Sequence, residues 1–131
     1  MTVIDKILRA LSGQRFHLED EKRTQLEIAA VLERAFPGYV DREVPVDGGI
    51  IDFVVTDIEP SPPPIRSMRC RHVGVEIKLK GQAAAHVRQL SRYAQEEGID
   101  GLVLVTAKPV TIPAVIAGKP VACVLMAKAW L

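Results

Sequence analysis

The spacing of apolar residues along the chain predicts three helices. The first covers residues 2–11, where apolar positions recur three or four residues apart. The second begins near Glu19 or Asp20, whose carboxylates suit the positive end of a helix, and ends at about Phe36. The third covers residues 82–97. The apolar positions assigned to the second helix are Leu26, Ala29, Ala30, Leu32 and Phe36.

Stretches of alternating or continuous apolar residues predict five strands. They cover residues 39–46, 50–56, 73–80, 101–108 and 121–130. The first two strands are separated by Asp-Gly-Gly, which is a hairpin-turn signal, so we expect them to pair in an antiparallel arrangement. The fourth strand is apolar throughout, which is typical of a strand buried on both faces of a sheet.

Two segments between these strands are predicted to lie outside the sheet. Residues 59–72 hold four prolines within five positions, so this Pro- and Arg-rich segment is expected to be an extended loop insertion. Residues 111–120 form a connection with room for one helical turn. The resulting order, α-α-β-β-β-α-β-β, predicts an α/β fold, with a central mixed β-sheet flanked by helices and residues 1–131 in a single domain.

Composition excludes several classes of protein. In 131 residues with a net charge of +1, no apolar run approaches the ~20 residues that cross a bilayer, so no membrane partner is expected. The N-terminal segment fits an amphipathic helix better than a signal peptide, which favours a cytoplasmic protein with Cys70 and Cys123 as reduced thiols. Two cysteines are too few for an all-cysteine iron–sulfur cluster, and His17, His72 and His86 are too scattered for a zinc site.

Positive charge is concentrated in residues 66–92, where Glu76 is the only acid. Such a stretch favours a polyanionic partner, although ordinary solvated surface charge explains it as well. The candidate contacts to a nucleic-acid backbone are Arg66, Arg69, Arg71, Lys80, Arg88 and Arg92.

Asp52 interrupts the predicted strand IIDFVV, which is apolar on both faces. A carboxylate in such a strand is costly unless it is paired, hydrogen-bonded or bound to a metal. A position near the strand end, with a hydrogen bond to a backbone amide, is the plain structural alternative. Asp52 therefore qualifies as a candidate site residue only if a second feature supports it.

Glu76 and Lys78 share one face of the next strand, where Glu/Lys pairs are also common on solvated surfaces. Because the two strands are expected to be neighbours, Asp52 can approach Glu76. Two converging carboxylates repel each other unless a proton or a divalent cation lies between them. Hard oxygen ligands favour Mg²⁺ or Mn²⁺, and a nearby lysine can position water or neutralise a phosphate oxygen.

These residues, in this order and on these elements, resemble the PD-(D/E)XK nuclease superfamily. Asp52 is followed after 23 residues by Glu76-Ile77-Lys78, and Glu27 stands on the helix where the family often carries a glutamate. The sequence QLSRY on the third helix looks like the Q-x-x-x-Y motif of the branch with RecB-type and Cas4-type nucleases. The resemblance covers roughly residues 19 to 107, and a small Holliday-junction-resolving or phage-encoded nuclease fits it similarly.

The resemblance implies a restriction-endonuclease-like core and Mg²⁺- or Mn²⁺-dependent hydrolysis of DNA. Asp52, Glu76 and the backbone carbonyl of Ile77 would be metal ligands, and Lys78 would orient water or stabilise phosphate charge. Glu27 would hold metal-bound water or a second ion. The remaining pair of implied site residues, expected to steady Lys78 and the DNA backbone, is Gln89 and Tyr93. Helical spacing places both on one face of the third helix, off the core stripe of Val87, Leu90 and Ala94, and a surface pair with the tyrosine ring partly packed is the plain alternative.

Two other classes of function stay open. The chain fits a non-catalytic nucleic-acid-binding module that kept the fold. It also fits an interaction domain or homodimer, in which exposed Ile4, Ile7 and Leu11 of the first helix and the C-terminal strand form the interface. Trp130 is interpreted as an interface or core residue, and His72 and His86 as exposed side chains that could touch phosphate.

Overall fold

The computed structural model describes residues 1–128, which form three helices and eight strands. The helices are α1 (Val3–Ser12), α2 (Glu21–Ala35) and α3 (Ala83–Ala94). The first four strands are β1 (Arg15–Phe16), β2 (Val40–Val46), β3 (Gly49–Pro60) and β4 (Met68–Lys78). The last four are β5 (Gly101–Thr106), β6 (Val115–Ile116), β7 (Lys119–Leu125) and β8 (Ala127–Lys128).

A six-stranded mixed sheet, in the order β2-β3-β4-β5-β7-β6, lies at the centre of the fold. The strands β2, β3 and β4 form an antiparallel meander, and α3 then crosses over so that β5 pairs parallel with β4. The mixed sheet flanked by helices is therefore confirmed. The sequence did not predict β1 or β6, since two-residue strands are too short to show a period, and it placed β8, which pairs with β1, in one strand with β7.

The two faces of the sheet are covered by different helices. Helices α1 and α2 cover the face that carries Phe53, Val75 and Ile77, whereas α3 covers the face that carries Val54 and Leu104. Every residue of β5 is buried, as the continuous apolar run predicts. Among residues 1–128, no helix is both long and apolar enough to cross a bilayer.

The buried face of α2 differs from the predicted one. Its buried residues are Thr24, Ile28 and Leu32, which follow one another at intervals of four, whereas Leu26 is 59% exposed. Thr24 escaped prediction because it is polar, yet its hydroxyl is satisfied by donating to the carbonyls of His17 and Asp20. A polar residue that bonds the helix's own first turn can occupy a core position at little cost.

Helix α1 packs on the sheet instead of offering an apolar face to a partner. Its residues Ile7 and Leu11 are buried in the core and Ile4 is half-buried, so an interface built on these three exposed side chains is wrong. The other half of that interface, the predicted strand 121–130, is divided, because β7 ends at Leu125 and β8 covers Ala127–Lys128. Trp130 lies outside the described residues.

The proline-rich loop is also shorter than predicted. Strand β3 continues to Pro60 and β4 begins at Met68, so only residues 61–67 form the loop of a long hairpin. Proline is tolerated here because Pro60 is the last residue of its strand. Strand β6 likewise occupies part of the connection 111–120, where one helical turn was expected.

Candidate active site

The candidate active site lies at the point where β3 and β4 separate, beyond Phe53 and Val75, which we call the fork. Their backbone ladder runs from Pro60 and Met68 as far as Phe53 and Val75, and it stops one pair before Asp52 and Glu76. Beyond that point side chains replace the ladder. The N–H of Asp52 donates to Oε1 of Glu76 at 3.1 Å, and the N–H of Ile77 donates to Oδ2 of Asp52 at 2.8 Å. Each carboxylate thus caps a backbone amide of the opposite strand.

The chain also changes direction at Asp52. Ile51 packs on the α3 side of the sheet and Phe53 on the opposite side, although the two are only two residues apart. Gly74 makes room for this change, because a Cβ there would lie 2.8 Å from Leu102 and 3.3 Å from Ile51. The strict alternation expected for IIDFVV therefore breaks at the candidate residue itself.

Strand β2 is irregular at the same level. The β2–β3 ladder pairs Arg42 with Phe53 and Val44 with Ile51, but it has no pair at Glu43 and Asp52. Glu43 adopts a φ of 51°, a left-handed conformation that a non-glycine residue rarely adopts. Asp52 consequently lies between interruptions on both neighbouring strands.

Glu76 is buried, with only 2% of its surface exposed, close to a second carboxylate. Burial first, and the charge of Asp52 second, raise the pKa of Glu76 to about 7. Lys78 lies 3.7 Å from Oε2 of Glu76 and offsets part of this effect. A pair of carboxylates with so little positive charge nearby favours a proton or a cation between them.

Gln89 and Tyr93 lie behind Glu76. The Gln89 amide donates to Oη of Tyr93 at 2.9 Å, and that hydroxyl lies 2.8 Å from the carbonyl of Ile50 and 3.2 Å from Oε2 of Glu76. Because a phenol has one proton, these two acceptors share it. Burial and the charge of Glu76 raise the pKa of Tyr93 to about 12, so the hydroxyl remains a donor.

The position of Tyr93 corrects the helix-surface interpretation. The side chain is fully buried and packs with Leu90 and Ala94, whereas the sequence placed Tyr93 off that core stripe. The Gln89–Tyr93 pair contacts Glu76, not Lys78 as expected. The sequence found the two residues, and the structure shows that Glu76 is the residue they hold.

Lys78 ends β4 beside an open cavity. About a third of its side chain is exposed. It lines a cavity of about 240 Å³ together with Leu79, Lys80, Leu18 and two acids at the start of α2, Glu19 and Glu21. His86 is buried, contrary to the expectation of an exposed histidine. Burial and the charge of Lys78 lower its pKa, so a neutral imidazole lies near this lysine.

Glu27 belongs to a different pair. The backbone N–H of His17 donates to its Oε1 at 2.8 Å, and Nδ1 of His17 lies 2.7 Å from its Oε2. Burial alone would raise the pKa of Glu27, but these bonds, helped by the charge of Arg23, lower it. Among residues 1–128 its hydrogen bonds go to His17 and not to Asp52 or Glu76. No sequence spacing marks His17 as the partner.

The six candidate DNA-binding cations divide into two groups. Arg69 pairs with Glu59 and Arg71 pairs with Asp100, and both lie on the face of β4 opposite Glu76 and Lys78. They are also at least about 17 Å along the strand from Glu76. These two are therefore not part of the candidate site. The exposed members of the set are Arg66 in the hairpin loop, Lys80 after β4, and Arg88 and Arg92 on α3.

His72 is the third predicted phosphate contact that has a protein partner. Its imidazole Nδ1 lies 2.9 Å from the Thr56 hydroxyl, and its backbone N–H donates to the carboxylate of Asp100. The imidazole is half-buried on the β3–β4 hairpin, four residues before Glu76. His72 is therefore better explained as part of the hairpin than as an exposed contact.

The carboxylate oxygens of Asp52 and Glu76 are of the donor type that a hard divalent cation prefers. In the part of the chain that the structure describes, no three His, Cys, Asp or Glu side chains gather as a metal cluster. Mg²⁺ does not require one, because it is commonly held by one or two carboxylates and keeps several waters. Asp52 and Glu76 supply two such carboxylates. Their negative charges repel each other, and a bound cation would relieve that repulsion.

Comparisons with protein-family models, with curated proteins and with solved structures gave no match to this chain.

Proposed function

We propose that this chain is a divalent-metal-dependent deoxyribonuclease of the PD-(D/E)XK type, and that its mixed sheet and flanking helices form a restriction-endonuclease-like core. The observation that carries the proposal is the fork between β3 and β4. There Asp52 and Glu76 cap each other's strands, Lys78 lies beside them, and the Gln89–Tyr93 pair supports Glu76 from behind. A purely structural pair of carboxylates would gain nothing from mutual repulsion in a buried place.

Each residue has a definite task in this proposal. Asp52, Glu76 and the backbone carbonyl of Ile77 hold the cation, and a bound Mg²⁺ or Mn²⁺ supplies Lewis-acid activation of a water molecule and of the scissile phosphate. Lys78 reaches the open cavity and stabilises negative charge on the phosphate oxygens. Tyr93 and Gln89 are positioning residues, because their hydrogen bonds fix the orientation of the Glu76 carboxylate.

The exposed cations offer a path for the DNA backbone. Lys80 shares the cavity with Lys78, and Arg88 and Arg92 are exposed on α3, the helix that carries Gln89 and Tyr93. These contacts are to phosphates and so carry no sequence information. We therefore expect the affinity for DNA to fall steeply with salt.

The decisive experiment tests cleavage and metal dependence together. The purified protein is incubated with Mg²⁺ or Mn²⁺ and linear duplex, single-stranded, flap and four-way-junction DNA. We expect cleavage of at least one substrate, abolished by chelation, and lowered about 10²-fold or more by Asp52→Asn or by Lys78→Ala. Thermal unfolding of each variant checks that it is folded.

Matched substitutions distinguish the site from a general charge effect. Asp41→Asn and Arg34→Ala change an exposed acid on β2 and an exposed base on α2, and both should cleave like the parent protein. DNA binding without cleavage of any of the four substrates would replace the proposal with a non-catalytic binding module. Cleavage that survives Asp52→Asn and Lys78→Ala would overturn the mechanism.

A further inference from the structure

The outer part of the β3–β4 hairpin carries its charged residues on the face that α1 covers. Asp57 accepts a hydrogen bond from Nζ of Lys6 at 2.9 Å, and the buried Glu59 accepts the backbone N–H of Val3 at 3.1 Å. A hairpin at a protein surface normally packs its apolar side chains inward and leaves its polar ones to water. This hairpin has the reverse arrangement, so its apolar side chains are left on the outer face.

That outer face, which we call the hairpin face, is apolar and largely exposed. It lies on the α3 side of the sheet and consists of an inner pair, Thr56 and His72, a central pair, Ile58 and Cys70, and an outer pair, Pro60 and Met68. None of these six residues is an acid, a lysine or an arginine. Ile58 is 49% exposed and Met68 is 53% exposed, and the exposed loop residues 62–65 extend the apolar surface at the tip. A contiguous exposed surface of this kind marks an interaction site.

An open groove adjoins the inner pair of the hairpin face. It measures about 250 Å³, and its lining includes His72, one acid and several apolar side chains, among them Val44, Val54 and Ile99. The acid is Glu96, whose Oε1 accepts the backbone N–H of Asp47 at 2.8 Å. The surface therefore has an apolar groove with a negative charge at its inner end.

The tip of the hairpin has the complementary features. Ile65 is 61% exposed, and the next residue, Arg66, is an exposed cation. One end of the surface thus offers an apolar side chain and a positive charge, while the other end offers an apolar groove and a negative charge. Such a surface can pair with a copy of itself that runs in the opposite direction.

We infer that the hairpin face binds the hairpin face of a second copy of this chain in a two-fold dimer. The inner and outer pairs lie two residues on either side of the central pair, Ile58 and Cys70. A two-fold axis through the central pair therefore places the outer pair of each copy on the inner pair of the other. The loop beyond the outer pair then reaches the partner's groove, where Arg66 lies beside the partner's Glu96.

Area and charge both fit a second copy. The eight apolar residues at positions 58, 60, 62–65, 68 and 70 offer on the order of 600 Å² per copy, so a dimer buries about 1,200 Å², the lower limit of a specific interface. No charge of the six ladder positions has to be buried in such a dimer. A nucleic-acid backbone would instead require cations along the face, and these six positions carry none.

Sedimentation velocity of the full chain tests the dimer. Because small interfaces have dissociation constants of about micromolar strength, the protein is measured from about 1 to 300 µM. Ile58→Glu and Met68→Glu each place an unpaired carboxylate in the interface once per copy, so each should raise the dissociation constant about a hundredfold or more. Leu26→Glu, at an exposed leucine of α2, should leave it unchanged. Thermal unfolding checks that each variant is folded.

Two further measurements locate the contact. Arg66→Glu sets two acids against each other and should weaken the dimer about tenfold, whereas Arg34→Glu makes the same charge change on α2 and should have no effect. Face-to-face sheets pack about 10 Å apart, so a short bismaleimide should join two chains through Cys70 at the axis. Cys123→Ser should preserve this cross-link, and Cys70→Ser should abolish it.

The inference is overturned if the parent chain stays monomeric at about 300 µM, well above micromolar dissociation constants. A dimer that persists unchanged in both Ile58→Glu and Met68→Glu overturns it as well. A monomer that binds vesicles of phosphatidylcholine and phosphatidylserine would replace the second copy with a lipid surface. These measurements use neither DNA nor metal, so their outcome is independent of the proposed function.

Discussion

The charged side chains at the two ends of strand β4 have opposite kinds of neighbour. At the N-terminal end, Arg69 and Arg71 each have a carboxylate at 3.0 Å, and those carboxylates also accept backbone N–H groups. At the C-terminal end, Glu76 faces Asp52, and within residues 1–128 the only cation among its close partners is Lys78 at 3.7 Å. The same strand therefore carries complementary charge at one end and like charge at the other.

Under the proposed function, this difference separates an end that stabilises the fold from an end that serves chemistry. Complementary charges that form ion pairs with each other hold the hairpin and α1 together in the free protein. Like charges in a buried place destabilise the free protein until something compensates for them, which is typical of catalytic and metal sites. The comparison predicts that removing a carboxylate has opposite effects on stability at the two ends.

The largest effect on stability is expected at the N-terminal end of β4. Glu59→Ala leaves the guanidinium of Arg69 and the N–H of Val3 without their acceptor, so the free energy of unfolding should fall by about 3 kcal/mol. Urea denaturation measures this. Glu97→Ala, which removes an exposed acid after α3, should change stability by less than about 0.5 kcal/mol. A loss no greater than that of Glu97→Ala would show that Glu59 is not structural.

The opposite sign is expected at the C-terminal end. Because the folded-state pKa of Glu76 is raised from 4.5 to about 7, the free energy of unfolding of the parent protein falls as the pH rises between these values. Glu76→Gln removes this loss, so without metal the variant should be more stable than the parent at pH 8. At pH 4 both forms are neutral and the two proteins should be equally stable.

Adding Mg²⁺ should reverse the order of the two proteins at pH 8. The cation replaces the missing positive charge in the parent, whereas Glu76→Gln has lost one of its ligands, so only the parent should gain stability. The measurement is the melting temperature with and without Mg²⁺. If Glu76→Gln is less stable than the parent at pH 8 without metal, Glu76 is a structural residue and the contrast between the two ends fails.

The sequence predicted the fold well because periodicity is a local property. The helices, the meander and the crossover to the buried strand β5 all follow from apolar spacing and turn residues. Successive side chains of a strand alternate between its two faces, so odd-numbered Arg69 and Arg71 lie on the opposite face of β4 from even-numbered Glu76. Charge counting along the segment ignored that alternation, and so it did not separate Arg69 and Arg71 from the cations near Glu76.

The geometry of the site could not be predicted in the same way. The alternation breaks at Asp52 because Ile51 turns towards α3, and it can do so only where Gly74, more than twenty positions away, lacks a side chain. The bond between His17 and Glu27 likewise joins a loop to a helix face. Contacts of this kind depend on how elements pack, which no pattern along a single chain reports.

The smallest effect concerns the backbone beside the fork. Glu43 has a φ of 51° opposite Asp52, and Ala117 has the same φ in the β6–β7 turn at the other end of the sheet. Since glycine adopts this conformation without steric cost, Glu43→Gly and Ala117→Gly should each raise the free energy of unfolding by about 0.5–1 kcal/mol.

Comparing Glu43→Gly with Ala117→Gly shows whether the strained backbone at Glu43 contributes to cleavage. Ala117→Gly should leave cleavage unchanged, because that turn is remote from Asp52. Glu43→Gly frees the backbone on one side of Asp52, so we expect slower cleavage together with the higher stability. Denaturation and cleavage assays on the same preparations measure both. Equal activity in the two variants would mean that the bend in β2 does not help to position Asp52, and that the ladder between β3 and β4 alone does so.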